Sequence, residues 1–287
     1  MALSRSTVSW LYVSPLMLVL IPFFVLPILV VLVASVFETD GFGGLIPTFT
    51  LANYGTVLTS GLTFNLYVET VKFTVLTWFF TLIIGFFVAY FLVFHVRNPL
   101  LAIGLFLICT VPFWTSNIIR MISWIPLLGK EGLINSALLR IGLIREPLEF
   151  LLYSSFAVVV AYVHQLTIFM IVPIFNSMAR IDKRVVEAAI DAGASRFDIM
   201  RLIIVPLSKS GVALGSIFVA SIVMGDFFVT KVMSGGGSAS VVGAFYEDIS
   251  VLQYPGAAAS AIILTVVLLA MVSLILRTVD IRKEITR

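Results

Sequence analysis

EAAIDAGASRFDIM, residues Glu187 to Met200, is a charged, turn-containing stretch inside an otherwise apolar chain. Asp182 upstream is a suitable N-cap for a helix through Ala192, and Gly193 supplies the left-handed residue that commonly follows a helix end. Ser195 and Asp198 match the S-x-x-D capping box, opening a second helix through Met200 and Arg201 towards Pro206. The stretch therefore predicts a helix, a tight turn and a second helix. Ala188, Ala189, Ala192 and Ala194 are small enough to let another backbone approach, while Glu187, Asp191 and Arg196 offer charge at the edges. Two readings follow from these residues: a docking knob for another protein, or an ordinary inter-span loop resting on lipid headgroups.

The surrounding composition decides the class. Of 287 residues, 60% are hydrophobic and 11% charged, with mean hydropathy +1.14, against a charged fraction of about 25% in soluble domains. A bilayer core roughly 30 Å thick needs about 20 mostly apolar residues per helix. Such runs occur near Trp10 to Phe37, Val71 to Phe94, Leu100 to Ile119, Leu151 to Phe175, Val212 to Val232 and Ala257 to Leu276. The expected fold is all-α and integral to the membrane, with about six spans, no internal repeat and no second soluble domain. The first run follows Arg5 but far exceeds a signal-peptide core of about 7–15 residues, so it is expected to be retained. A formal net charge of only +3 makes nucleic acid a poor partner. Cys109, the only cysteine, lies in an apolar run and reads as a small buried hydrophobe.

Six spans put both termini on one side, with the 94–100 turn and the loop 176–211. That side carries Arg5, Arg97, Arg180, Lys183, Arg184, Arg196, Arg201, Lys209, Arg277, Arg282, Lys283 and Arg287, against Asp182, Glu187, Asp191, Asp198, Asp280 and Glu284. In the rest of the chain acids outnumber bases. Because cytoplasmic loops retain Lys and Arg, the opening stretch and both termini should be cytoplasmic. Three outer segments remain: Glu38 to Tyr67, rich in glycine; Ser123 to Phe150, where GLINSALLRIGLI suits a short amphipathic helix at the outer interface; and Met233 to Pro255, carrying SGGGS from Ser234.

Asp226 falls inside the predicted Val212–Val232 span, about 21 Å from its cytoplasmic end at 1.5 Å per residue. An ionisable residue there is by default a pathway candidate. With Phe227 and Phe228 adjacent, and Tyr246, Glu247 and Asp248 in the next outer segment, the region could hold an amine through carboxylate and cation–π contacts. The alternative is a structural pair with a base such as Arg120. Glu69 and Lys72, three apart, suit a pair on one helix face. Trp114 and Trp124 read as an interfacial belt, and Pro22, Pro27, Pro112 and Pro173 as tolerated helix kinks.

His164 and Gln165 lie mid-span with no second histidine nearby and no cysteine cluster, so interhelical hydrogen bonding is expected and no metal site. No nucleophile–base constellation has supporting context. SGGGS lacks a following GK[ST], and Gly129-Lys130 lacks the preceding glycines of a phosphate-binding loop. The chain is not expected to be an enzyme or to carry a cofactor.

Glu187, Ala188, Ala189, Gly193, Ile203 and Pro206 fit E-A-A-x3-G-x9-I-x-L-P, with Val205 in place of the usual Leu. This resembles the loop of inner-membrane permease subunits of binding-protein-dependent ABC importers. The resemblance extends from roughly Leu66 to Leu276, and GLINSALLRIGLI followed by Pro147 is most similar to the spermidine/putrescine type. It implies a type I ABC importer permease core, residues 66–287, preceded by an extra N-terminal helix and first periplasmic segment, residues 1–65. It also implies a second permease, a heterodimer being favoured, and two cytoplasmic ATPases that bind ATP and Mg. A periplasmic solute-binding protein and a bacterial inner membrane complete the picture. Glu187, Ala188, Ala189, Asp191, Gly193, Ala194 and Arg196 would then form the coupling helix seated on an ATPase, and Asp226, Phe227, Phe228, Tyr246 and Glu247 would line the pathway for a polyamine or related amine. The alternative function is an ion-coupled secondary carrier or channel working without an ATPase, which would show paired membrane carboxylates or unwound spans in matching halves.

Overall fold

A computed structural model describes residues 5–236 and 240–277. Apart from one hairpin of two-residue strands, Glu38–Thr39 paired antiparallel with Leu45–Ile46, its regular structure is helical. Among the described residues, four helices are long and apolar enough to cross a membrane: Tyr12–Ala34, Gly61–His95, Ser155–Ala179 and Tyr254–Leu276. Two further candidates are bent pairs, Leu100–Trp114 with Asn117–Arg140 at 95°, and Arg196–Leu207 with Lys209–Gly225 at 62°. The chain divides into two compact units, one drawn from Met1–Phe64 and Ala244–Val266, the other from Asn65–Gly243 and Val267–Arg287.

In the first unit, no residue of Tyr12–Ala34 is buried, as expected of an apolar helix whose solvent is lipid. Pro22 and Pro27 are accommodated by a wider π turn at Ile21–Val25. The helix end is tied down from the following segment. Asn53 Nδ2 donates to the carbonyls of Ser35 and Phe37, both at 2.9 Å, and the Ser35 and Tyr54 hydroxyls meet at 2.7 Å. These bonds satisfy carbonyls that a helix terminus otherwise leaves open. The hairpin turns on Gly41 and Gly43, both at positive φ, while Asp40 Oδ1 accepts from the amides of Phe42 and Gly44.

In the second unit, Gly61–His95 presents a buried stripe of small residues, Thr70, Thr74, Thr77, Thr81, Gly85 and Ala89, at helical spacing. A Cβ on Gly85 would lie 2.8 Å from the Met170 side chain. Lys209–Gly225 packs on Ser155–Ala179 in the same manner, since a Cβ on Gly211 would lie 2.4 Å from the Pro173 carbonyl oxygen and one on Gly215 2.6 Å from Met170 Sδ. Small residues replace the hydrophobic drive that lipid cannot provide, because close backbone approach maximises van der Waals contact. Trp78 Nε1 donates to Ser216 Oγ at 2.7 Å, and the Ser177 and Ser210 hydroxyls meet at 3.1 Å, adding polar links between helices.

Several expected boundaries move. The Gly61–His95 helix starts well before Val71, because polar Asn65 and Glu69 continue it beyond the apolar run. The expected Leu100–Ile119 span is not one helix: Pro112 lies in a 3-10 turn at Val111–Trp114, and the chain breaks after it. Ser154 caps the next helix, accepting from the Ala157 amide, so it begins at Ser155 rather than Leu151. GLINSALLRIGLI contains the expected short helix, Leu133–Arg140, but Asn135 is fully buried in it. Its side chain donates to the carbonyls of Gly129 and Leu148 and accepts from the Leu148 amide. Asp280, Arg282, Lys283, Glu284, Arg287 and the end of SGGGS lie outside the described residues.

Candidate functional site

The loop forms as its residues dictate. Asp182 Oδ1 accepts from the Arg184 amide at 3.0 Å and opens the helix Lys183–Asp191. Gly193 follows at φ +83°, its amide bonding Ile190 O while that of Ala194 bonds Ala189 O, each at 2.9 Å. This paired closure is the Schellman ending that glycine permits without steric cost. Ser195 and Asp198 make the complete reciprocal capping box for Arg196–Ile199. A π turn at Met200–Ile204 and a short helix Val205–Leu207 then lead into the bend before Lys209.

The loop has two faces. Val186, Ala189, Ala194, Met200 and Ile203 pack inward against a core that includes Ile181, Ile199 and Ile204. Facing outward are Glu187, Ala188, Asp191, Ala192, Gly193 and Arg196, together with exposed Ile190, Phe197 and Leu202. Of the four alanines read as room for an approaching backbone, Ala189 and Ala194 are thus taken up by internal packing, and Ala188 and Ala192 remain available. The outward apolar residues Ile190, Phe197 and Leu202 are additions to the expected contact set, and helical spacing does not find them: Ile190 lies four residues from inward Val186, and Phe197 and Leu202 lie beyond the turn at Gly193.

Asp226 departs from expectation. It does not sit inside a helix: Lys209–Gly225 ends there, the Asp226 backbone is extended, and a separate helix Phe228–Met233 begins beyond it. The cause is local, because Asp226 Oδ1 accepts from the Val229 amide at 2.9 Å and so caps the new helix. The same oxygen accepts from the Tyr162 hydroxyl at 3.0 Å, and that hydroxyl also meets Thr230 Oγ1 at 3.0 Å. The structural partner of Asp226 is therefore Tyr162 and not Arg120, whose guanidinium donates to Asn117 and stands over the Phe113 ring. Neither Tyr162 nor Thr230 had been read as part of this site, since no sequence signal links positions 64 apart.

Phe227 and Phe228 follow Asp226, with rings 6.5 Å apart and edge to face. Tyr246 and Glu247 belong to the other unit, on the exposed side of the helix Val241–Ser250. Beside them, burial and then the charge of Glu247 push the Asp248 carboxyl above its usual range.

An apolar cavity of about 530 Å³ is lined by Phe80, Cys109, Pro112, Trp124, His164 and Thr167, among others. Cys109 is accordingly half-buried and not a core residue. Trp114 is 81% exposed, as a belt residue would be, whereas Trp124 Nε1 donates to His164 Nδ1 at 3.2 Å. That bond supplies the interhelical role expected of His164. Glu69 and Lys72 pair as expected, with Nζ 3.0 and 2.9 Å from the carboxylate oxygens.

Comparison with known proteins places this architecture. Residues 81–284 match the family described as binding-protein-dependent transport system inner membrane component. The chain is 32% identical over 253 residues to the spermidine/putrescine transport system permease protein PotB of Escherichia coli (strain K12), covering 87% of this chain and 90% of that protein. The Haemophilus influenzae protein of that name is 31% identical over 226 residues, 78% of this chain and 77% of its own. Similarity to the permease protein PotC of E. coli is 35% over 104 residues, 36% of this chain and 39% of that one. The fold matches the crystal structure of a bacterial ABC transporter involved in the import of the acidic polysaccharide alginate, with TM-score 0.74, 17% identity and coverage of 96% and 95%. It also matches the bacterial alginate ABC transporter in complex with alginate pentasaccharide-bound periplasmic protein, with TM-score 0.71, 15% identity and coverage of 94% and 93%. Between the importer and the ion-coupled carrier, the family match selects the importer. The chain belongs to the family of binding-protein-dependent transport system inner membrane components: it is a multi-pass inner-membrane permease subunit of an ABC importer, without catalytic activity of its own, and its ATPase is a separate subunit.

Proposed function

We propose that this permease pairs with a second, different permease to form the pathway for a polyamine or a related small amine. The observation that carries this reading is the resemblance to PotB along 87% of the chain. The partial resemblance to PotC favours a heterodimer, and the excess of acids over bases in the outer and membrane segments suits a cationic cargo. In this reading a periplasmic solute-binding protein delivers the amine, and Asp226, Phe227, Phe228, Tyr246 and Glu247 contribute to its pathway. Both termini face the cytoplasm, and residues 1–65 precede a permease core of 66–287.

Glu187, Ala188, Ala189, Asp191, Gly193, Ala194 and Arg196 form the coupling element on one of two ATPases. The outward Ile190, Phe197 and Leu202 supply the apolar area such a contact requires. Closure of the ATPases on ATP and Mg draws the docked loops together, and the glycine-packed helices carry the movement outward as rigid bodies.

The test is reconstitution of the chain with second permease, ATPases and binding protein in proteoliposomes. ATP-dependent uptake of labelled spermidine or putrescine is expected. Uptake of another solute class with neither amine transported would overturn the cargo reading and leave the importer assignment in place.

A further inference from the structure

The Asp226 side chain is held from two helices at once. Its Oδ1 accepts from the Val229 amide at 2.9 Å, in the helix Phe228–Met233, and from the Tyr162 hydroxyl at 3.0 Å, in the helix Ser155–Ala179. A carboxylate oxygen only accepts, so the single proton of the Tyr162 hydroxyl goes to Asp226. The 3.0 Å contact between that hydroxyl and Thr230 Oγ1 must then run the other way, with Thr230 as the donor. The three side chains form one directed chain of hydrogen bonds, from Thr230 to Tyr162 to Asp226.

Accessibility changes along this chain. Thr230 is 1% exposed and Tyr162 2%, whereas Asp226 is half-buried and Phe228 beyond it is exposed. A solute that reaches the break in the helix therefore meets the carboxylate and not the hydroxyls behind it. Neither ion pair among the described residues, Glu69–Lys72 or Lys130–Glu149, includes Asp226. The hydroxyls leave the charge in place and restrict how it can turn, because a side chain bonded from two helices keeps one orientation. A freely turning carboxylate attracts ammonium groups of any spacing alike, whereas a fixed one suits some spacings better than others.

We infer that Tyr162, with Thr230 behind it, is a positioning residue for the cargo: it fixes the direction in which Asp226 meets an ammonium group, and so sets how well the pathway distinguishes amines of different length. This rests on the reading of Asp226 as a pathway residue for a polyamine or related amine.

The experiment uses the assembled importer in proteoliposomes with Tyr162→Phe, Thr230→Val, Thr230→Ser and Asp226→Asn. Putrescine and cadaverine compete as cargo, two diamines of equal charge that differ by one methylene. The readout is the ratio of their uptakes, which a loss of correctly folded permease leaves unmoved and to which the same binding protein contributes equally throughout. Tyr162→Phe should change this ratio by about threefold or more. Thr230→Val should change it in the same direction, and Thr230→Ser, which restores the donor, should return it to the parent's value. The parent's ratio in both Tyr162→Phe and Thr230→Val overturns the inference, as does an equal shift in Thr230→Ser and Thr230→Val, which would mark packing. Should Tyr162→Phe fail to insert, the two Thr230 variants decide by the same criteria. Asp226→Asn separates this inference from the reading beneath it. If that variant loses uptake of both diamines while Tyr162→Phe keeps the parent's ratio, Asp226 stays in the pathway and only the positioning role falls. Full uptake by Asp226→Asn, or a parent importer that carries neither diamine, overturns the underlying reading and this inference with it.

Discussion

The Tyr162 hydroxyl and Asp226 Oδ1 stand 3.0 Å apart, joining the middle of one membrane helix to the break in another. Tyr162 is 2% exposed, so its hydroxyl must be bonded, and Asp226 with Thr230 satisfies it. The carboxylate also caps the helix that follows, which makes the break in the chain and the placement of the charge a single feature. Tyr162→Phe should cost about 1–2 kcal/mol through the lost bond and the unsatisfied partners. Thermal melting in detergent measures this loss, and a melting point equal to that of the parent chain would show that the bond is not formed in the assembled protein.

Asp226→Asn separates the cap from the charge. Asparagine keeps the side-chain oxygen that accepts from Val229, so melting should stay close to that of Asp226, whereas Asp226→Ala should lose about 1 kcal/mol of capping. If the charge serves the pathway, amine uptake falls at least tenfold in both. Full uptake by the Asn variant assigns Asp226 to structure alone.

Gly193→Ala forces a side chain into a backbone with φ +83° and should cost about 1–2 kcal/mol. Gly193→Pro goes further, because proline cannot adopt that φ and has no amide to give to Ile190. The chain should insert normally and support no uptake. Glu187→Arg should give the same transport defect without disturbing the turn, since Glu187 is exposed. If ATPase subunits still co-purify with these variants and hydrolysis still responds to the binding protein, the loop is not the coupling element.

Gly211→Ala tests the close helix contact, because the added methyl would lie 2.4 Å from the Pro173 carbonyl oxygen. Backbone cannot move aside as a flexible side chain would, so a loss of about 1–3 kcal/mol is expected. Gly104→Ala is the control, with nothing within 4 Å of its Cβ position. Equal melting points for the two variants would refute the packing argument.

Asp248 gives a pH dependence whose sign follows from its raised carboxyl. The folded state holds that proton more tightly than the unfolded chain does, so the contribution favours folding at low pH. It is lost as pH rises from the ordinary value of 3.8 through the raised one. Glu247→Gln removes the repelling neighbour and should shrink this pH dependence. A melting-pH profile identical in both proteins would mean that the two carboxylates do not interact.

Much of this molecule was written locally. Asp182, Gly193, Ser195 and Asp198 act within a few residues of one another, so capping chemistry and backbone sterics specified the loop before any tertiary contact was known. The spans were legible because apolarity over about 20 residues is a statement about transfer into lipid and needs no partner. Their interruptions were not. The break at Asp226 depends on an amide three residues on and a tyrosine on another helix, and the break after Trp114 follows a proline resembling others that helices elsewhere in the chain absorb. Inward Ala189 and outward Ala188 are neighbours of the same size, and only the core beneath the loop distinguishes them. Composition and short-range motifs thus determined that the chain spans the membrane and how the loop between its later spans folds. The pairing of Tyr162 with Asp226, the glycine contacts and the Trp124–His164 bond were decided by tertiary structure, because hydrogen bonds and van der Waals contacts act over a few ångströms between residues that sequence leaves far apart.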